Sequence, residues 1–259
     1  MEHKGASRRV VRLPAGATPQ PSFIPAAGVT WLTPLYDMGV ALLTRERVWR
    51  QALLRQVAPG DGDVVAEVGC GTGSWLVLAA RAAPRAVFVG IDPDRAVLAR
   101  ARSKARANSV TIEWLEGYAD QTDALLRGRR ATKIVCALVF HHLSPDGQRC
   151  ALAAFHATIA PRGELHIADY GLQRSRRMRF LFRQTIQRLD GVATTAANAR
   201  GEVPERCREA GFHEVAETCC FATLTGSISL YRARRGTEEG LARCRPFEER
   251  LISSENPAK

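Results

Sequence analysis

From Val64 onward, short apolar runs alternate with longer stretches of helical periodicity, and this rhythm constrains the chain more than any other feature. The runs are Val64–Val68, Ala86–Ile91, Val110–Leu115, Lys133–Phe140 and Glu164–Ala168. Helical spacing follows the first run through Arg81, and returns at Pro93–Asn108 and Asp146–Ala160. Strands joined by helical crossovers lie parallel, with helices covering both faces of the sheet. The expected fold is therefore α/β and Rossmann-like.

Both flanks read differently. Thr33-Pro34 opens a helix that the periodicity carries to Val57, with Pro59-Gly60 as its stop. Beyond the fifth strand, Arg174–Leu189 reads as a helix, and a short one from Pro204 to Ala210 closes at Gly211. Glu214–Thr223 and Ser227–Ala233 then form an antiparallel hairpin, since only Leu224, Thr225 and Gly226 separate them. The expected organisation is a flexible arm at 1–30, one domain at 31–233 and a tail at 234–259. Within the domain lie a helical cap (31–58), the sheet core (63–169), lid or substrate helices (172–210) and the terminal hairpin (212–233).

Composition excludes several classes. With 46% hydrophobic and 24% charged residues among 259, global disorder is ruled out. The longest apolar run, Ile134–Phe140, is far short of the ~20 residues of a membrane span. Seven cysteines without a CxxC pair give neither a zinc spacing nor a disulfide framework, and a cytoplasmic location is expected. Arg8-Arg9 is followed by prolines rather than an apolar segment, unlike an export signal. The net charge of +11 comes almost wholly from arginine, the only lysines being Lys4, Lys104, Lys133 and Lys259. Its dispersal along the chain favours a codon bias over a footprint for nucleic acid, an anionic membrane or an acidic substrate.

The candidate site begins where the first strand meets its helix. Glu67-Val68-Gly69-Cys70-Gly71-Thr72-Gly73 occupies the place where open α/β sheets bind ligands. Glycine lets the backbone turn sharply and leaves no Cβ between it and a ligand, while amides at the helix start favour an anionic or electron-rich group. The spacing is not GxGxxG, because Ser74 stands at the third glycine's place. Asp92 ends the second strand 19 residues after Gly73, followed by Pro93, which is expected to open the next helix. An acid there can accept both hydroxyls of a ribose, and can also cap that helix.

Glu67–Gly73, Gly90–Pro93, Phe140-His141-His142-Leu143 and Ala160–Leu165 together resemble class I S-adenosylmethionine-dependent methyltransferases. The chain is most similar to the group holding ubiquinone/menaquinone biosynthesis methyltransferases and bacterial phospholipid N-methyltransferases, over residues 31–232. That resemblance implies a seven-stranded, mostly parallel sheet whose last strand is antiparallel. It implies S-adenosyl-L-methionine as cofactor, with Gly69, Cys70, Gly71, Thr72 and Gly73 along its methionyl and ribose parts and Asp92 on the ribose. Glu67 would orient the methionyl end, and Pro93 and Leu138 complete the implied contacts. Family members often carry Gly-Asp-Ala after the third strand, but here the order is Gly117-Tyr118-Ala119-Asp120. Tyr118 takes the acid's place, leaving Asp120 or the Ala119 amide to meet the adenine.

The acceptor is less constrained. The Asn/Asp-Pro-Pro-Tyr of amino-methyltransferases is missing after strand four, and Cys136 lies inside an apolar strand without a preceding proline. Nucleic-acid acceptors are therefore disfavoured; an RNA methyltransferase and a non-catalytic cofactor-binding protein are the rival readings. His141 is a candidate general base, with helix capping or packing as its alternative. Tyr36, in a Tyr36-Asp37 pair, is a candidate lid residue. His142, Tyr170, Arg177, Gln184 and Gln187 are candidates for the acceptor pocket. Met178, Leu181, Phe182, Ile186 and Leu189 would form one apolar face of a basic amphipathic helix, packed on the domain or resting on an anionic membrane. A small or amphipathic acceptor is expected: a quinone precursor, a phospholipid amine or another metabolite. No metal is expected, because no ligand set has metal spacing.

Overall fold

A computed structural model describes residues 44–236. The arm, Tyr36, the start of the first helix and most of the tail lie outside the described residues. Within them, α1 (Glu46–Val57) leads into β1 (Val64–Val68), α2 (Ser74–Ala82), β2 (Val87–Asp92), α3 (Arg95–Ala107) and β3 (Glu113–Glu116). Next come a 3-10 turn (Ala119–Gln121), α4 (Thr122–Leu126), β4 (Ala131–Ala137), a second 3-10 turn (Phe140–His142), α5 (Pro145–Thr158) and β5 (Ile159–Tyr170). The chain closes with α6 (Arg176–Gln184), α7 (Ile186–Asp190), α8 (Val192–Ala199), α9 (Val203–Glu209), β6 (Phe212–Thr223) and β7 (Gly226–Arg235).

The seven strands form one sheet in the order β3-β2-β1-β4-β5-β7-β6. β1 to β5 pair in parallel, whereas β7 runs antiparallel to both β5 and β6. From β1 the chain builds outward to β3, then returns to the other side of β1 with β4. That reversal leaves a crevice at the carboxyl ends of β1 and β4. Alternate residues face opposite layers, so Val65 and Val135 join Trp49, Leu53 and Trp75 while Ala66 and Ile134 join Phe140, Leu152 and Phe155. Each large side chain wholly buried in this way contributes about 1.5–3 kcal/mol.

Several boundaries differ from the sequence reading, each for a local reason. Val110 is not in β3: Ser109 turns left-handed (φ 53°) and the Val110 amide closes the end of α3 on the Ala105 carbonyl, 3.1 Å away. Pro161-Arg162-Gly163 is not a free turn but an irregularity inside β5, whose register against β4 jumps from Ala131↔Ile159 to Lys133↔Glu164. The helix foreseen at Arg174–Leu189 breaks at Thr185, whose hydroxyl donates to the Leu181 carbonyl at 2.7 Å. Phe182 and Ile186 are buried as expected, but Leu189, beyond the break, is exposed. Sequence spacing missed α4 and α8 altogether. The hairpin is longer than foreseen, with β7 entering the expected tail by two residues.

Pro93 does not open α3. The helix starts at Arg95 and its cap is Asp94, which accepts from the Ala96 and Val97 amides at 2.8 and 3.2 Å. Asp94→Ala should therefore lose about 1 kcal/mol of stability in urea unfolding, the usual effect of deleting an acidic cap.

Candidate active site

β1 ends in the glycine loop, which is pinned to the end of β2. The Gly69 and Cys70 amides both donate to the Ile91 carbonyl, at 2.8 and 3.0 Å. A Cβ on Gly69 would collide with Val139, so the loop lies directly against the segment that follows β4. Gly71 differs in having nothing within 4 Å of such a Cβ, and its φ of +53° is one that other residues rarely adopt. Its open side is room for a ligand.

Asp92 is nearly buried at the end of β2. One carboxylate oxygen accepts from the Gly71 amide at 2.8 Å and the other from the Asp94 amide at 3.0 Å. Burial moves its pKa above the ordinary value, against the pull of those two amides. With Asp94 capping α3, Asp92 is released from the capping role that the sequence left open. Glu67, buried in β1, has its pKa pushed up to about 8 by burial, which outweighs the opposing charge of Arg50. Its Oε2 has no hydrogen-bond partner among the described residues. Cys70 is buried and burial drives its thiol far above the usual value, so it packs rather than reacts. Thr72 accepts from the Lys104 ammonium at 2.8 Å.

After β3, the Gly117 amide donates to the Asp92 carbonyl at 3.2 Å, placing Tyr118 and Ala119 beside the end of β2. Tyr118 and Asp120 are exposed and Ala119 is half-buried. Leu138, just past β4, is held left-handed (φ 56°) with its amide on the Ala168 carbonyl at 2.8 Å. A branched residue in that region marks backbone strain at the crevice.

The 3-10 turn that follows brings His141 into the site. His141 Nδ1 lies 2.7 Å from an Asp169 oxygen, and the other Asp169 oxygen accepts from the Phe140 amide at 2.7 Å. Burial disfavours the imidazolium, but the Asp169 carboxylate outweighs it and the His141 pKa is raised. The His142 ring lies tilted against His141, 3.9 Å between centroids, and Tyr170 meets His141 edge-on at 5.0 Å. Tyr170 is itself buried, its hydroxyl 2.8 Å from the Thr225 hydroxyl. Asp190, at the end of α7, faces both histidines. Gln148 fixes the turn from behind, donating to the Phe140 carbonyl at 2.7 Å and accepting from Arg206 at 2.8 Å.

Of the residues expected at the acceptor pocket, the structure brings together His141, His142 and Tyr170. Arg177 and Gln184 are exposed on α6, and Gln187 is half-buried on α7. Asp169, Asp190 and Gln148 were missed. Asp169 had a signal, as an acid closing the apolar run Ile167-Ala168. Asp190 had none, being 49 residues from His141 and joined to it only by folding.

Residues 65–163 match a family described as a methyltransferase domain. An uncharacterised methyltransferase of Mycobacterium tuberculosis is 33% identical over 120 residues, 46% of this chain and 56% of that protein. The chain thus spans little more than half of the mycobacterial relatives it matches. A demethylmenaquinone methyltransferase of Deinococcus radiodurans is 26% identical over 208 residues, covering 78% of this chain and 84% of that one. Among solved structures, an N-methyltransferase from Bradyrhizobium japonicum in complex with S-adenosyl-L-homocysteine superposes with a TM-score of 0.55 at 22% identity, over 73% of this chain and 87% of that one. Residues 65–163 thus carry a methyltransferase domain, of a family that uses S-adenosyl-L-methionine.

The crevice of this methyltransferase domain fits that cofactor on its own observations. The open flank of Gly71, the orphaned Glu67 Oε2 and the buried Asp92 all belong to one end of the sheet. Because burial outweighs the Arg50 charge, Glu67 carries a pH-dependent penalty. A folded-state pKa near 8 against an ordinary 4.5 means stability is full below pH 4.5 and declines as pH rises through 8. Glu67→Gln removes that penalty, so its urea midpoint should exceed that of the native protein by a margin that widens from pH 5 to 8.

Proposed function

We propose that this chain transfers a methyl group from S-adenosyl-L-methionine to a small or amphipathic acceptor. The observation that carries this reading is the contact of Gly69 with Val139, which sets a cofactor-type loop directly against the turn bearing His141. The cofactor, when bound, supplies an electrophilic methyl on a sulfonium. Asp92 accepts its ribose hydroxyls, Glu67 offers a carboxylate to its positively charged methionyl end, and the Gly69–Gly73 backbone lies along it. Tyr118, Ala119, Asp120, Pro93 and Leu138 border the remaining surface. On the acceptor side, His141 meets the nucleophile, with Asp169 fixing its ring and tautomer. His142 and Tyr170 line that side. Holding the reactants in one geometry can supply roughly 7–11 kcal/mol of the barrier in favourable cases.

Binding of RNA gains no support from the arrangement of charge. Arg129 makes a two-pronged pair with Glu113 (2.6 and 2.9 Å), Arg174 another with Glu217 (3.0 and 2.7 Å), and Arg234 meets Glu164 at 3.0 Å. The acceptor classes that remain are quinone precursors, phospholipid amines and other metabolites. The demethylmenaquinone methyltransferase relative supports the first of these.

Calorimetric titration with S-adenosyl-L-methionine tests the cofactor half. Asp92→Ala should weaken binding tenfold or more, since the lost charge-assisted bonds amount to about 1.5–3 kcal/mol. Unchanged affinity removes Asp92 from the site. A screen of quinone precursors, phospholipids and amines with radiolabelled cofactor tests the acceptor half, and no transfer to any of them defeats the reading.

Among the described residues no helix is long and apolar enough to cross a membrane. α6 nevertheless exposes Phe180 among Arg176, Arg177, Arg179 and Arg183, a pattern suited to peripheral contact with anionic lipid. The chain should sediment with phosphatidylglycerol vesicles and not with phosphatidylcholine ones, and Phe180→Asp should release it.

A further inference from the structure

Three donor groups meet at the acceptor end of the crevice in an arrangement that their own hydrogen bonding does not explain. Asp190 Oδ2 lies 3.7 Å from His141 Nε2, and Asp190 Oδ1 lies 3.6 Å from His142 Nδ1. Both separations exceed the range of a hydrogen bond. One ligand atom from each residue falls within 4.8 Å of the other two. His141 Nδ1 is already taken by Asp169 at 2.7 Å. With Nδ1 committed to Asp169, Nε2 is the His141 nitrogen left to face the Asp190 carboxylate, where either a proton or a metal ion can lie between them.

We propose that His141 Nε2, His142 Nδ1 and Asp190 bind a divalent first-row transition-metal ion, of which zinc is the type best suited to two imidazoles and a carboxylate. Donor bonds of about 2.0–2.2 Å around a tetrahedral ion put ligand atoms about 3.4 Å apart, so the two separations to Asp190 need shrink by a few tenths of an ångström, while the set as a whole, within 4.8 Å, closes by side-chain rotation. Asp169 on the far nitrogen of His141 is the outer carboxylate that commonly orients a metal-bound imidazole. Two carboxylates, Asp169 and Asp190, match the ion's two charges when both imidazoles are neutral. His141 is buried while His142 and Asp190 reach the surface, leaving the open coordination position on the accessible side. The ligand class for that position is a hydroxyl or phenol oxygen, whose proton passes to solvent more readily beside the ion. This role rests on the methyl-transfer reading; the ion site does not.

The test uses the full chain, stripped with a chelator and titrated with Zn2+ against a chromophoric competitor, and separately with Co2+ followed by visible absorption. One ion per chain is expected, with Asp190→Ala and His142→Ala each weakening Zn2+ binding at least tenfold and abolishing the Co2+ bands. Asp169→Asn should weaken it by about 10–100-fold, as outer-ligand changes do. Asp190→Asn is the shape-preserving control for folding, checked by circular dichroism, and should weaken binding likewise. Equal binding in native protein and the Asp190 variants overturns the proposal. So does binding lost only in Cys219→Ser/Cys220→Ser, which would place the ion on those exposed thiols. Titration of the same samples with S-adenosyl-L-methionine separates the two readings: cofactor binding without ion binding defeats the site alone, and ion binding without cofactor binding leaves the site and removes its assigned role.

Discussion

Asp92 holds the crevice together by accepting from two backbone amides at once, one in the glycine loop and one at the start of α3. Those bonds fix where β1 hands over to its helix relative to where β2 ends. The two amides offset part of the cost of burying the carboxylate, and the same carboxylate stays at the ligand end of the sheet. The glycine loop in turn leans on Val139, so its position is also set by the exit from β4. Three neighbouring strands, β2, β1 and β4, therefore deliver their ends to one place.

Much of this was legible in the sequence because it is local. The parallel core follows from the alternation of apolar runs and helical stretches, and the terminal hairpin from the three residues between its strands. Asp92 and the loop glycines are read from their place at strand ends. What escaped were features decided by tertiary contact. Val110 looks like strand by composition, yet the end of α3 claims its amide. Leu189 fits the helical period of the residues before it, but the backbone leaves the helical region at Thr185 (φ −111°, ψ −82°) and breaks that period. Asp190 meets the histidines only after α6 and α7 have folded back over the sheet's end.

The charge of the chain shows the same division. Counting arginines gives +11 and raises the prospect of a polyanionic partner. Structure pairs many of those arginines with carboxylates across strands, as Arg234 does with Glu164, or across loops, as Arg129 does with Glu113. Exposed pairs of this kind add little stability each. They do, however, neutralise charge locally, whereas the arginines of α6 have no carboxylate paired with them among the described ion pairs.

Asp169 shows how a fully buried acid can be tolerated where a site needs it. It sits at the end of β5 between β4 and β7, pairing with Ser229 in the sheet register. Its oxygens accept from the Phe140 amide, the Tyr170 amide and the His141 ring, each at 2.7 Å. Partners so placed offset the desolvation of the charge, and removing one would leave the rest of the group unsatisfied at a penalty of about 1–3 kcal/mol. Two of the three donors belong to the turn after β4, so the acid sets that turn's backbone as well as the imidazole. A neutral side chain of similar shape could fill the space but would not demand the same orientation from His141. The ring is consequently held with Nε2 toward Asp190, and the chemistry at the acceptor end of the sheet follows from where one buried carboxylate was placed.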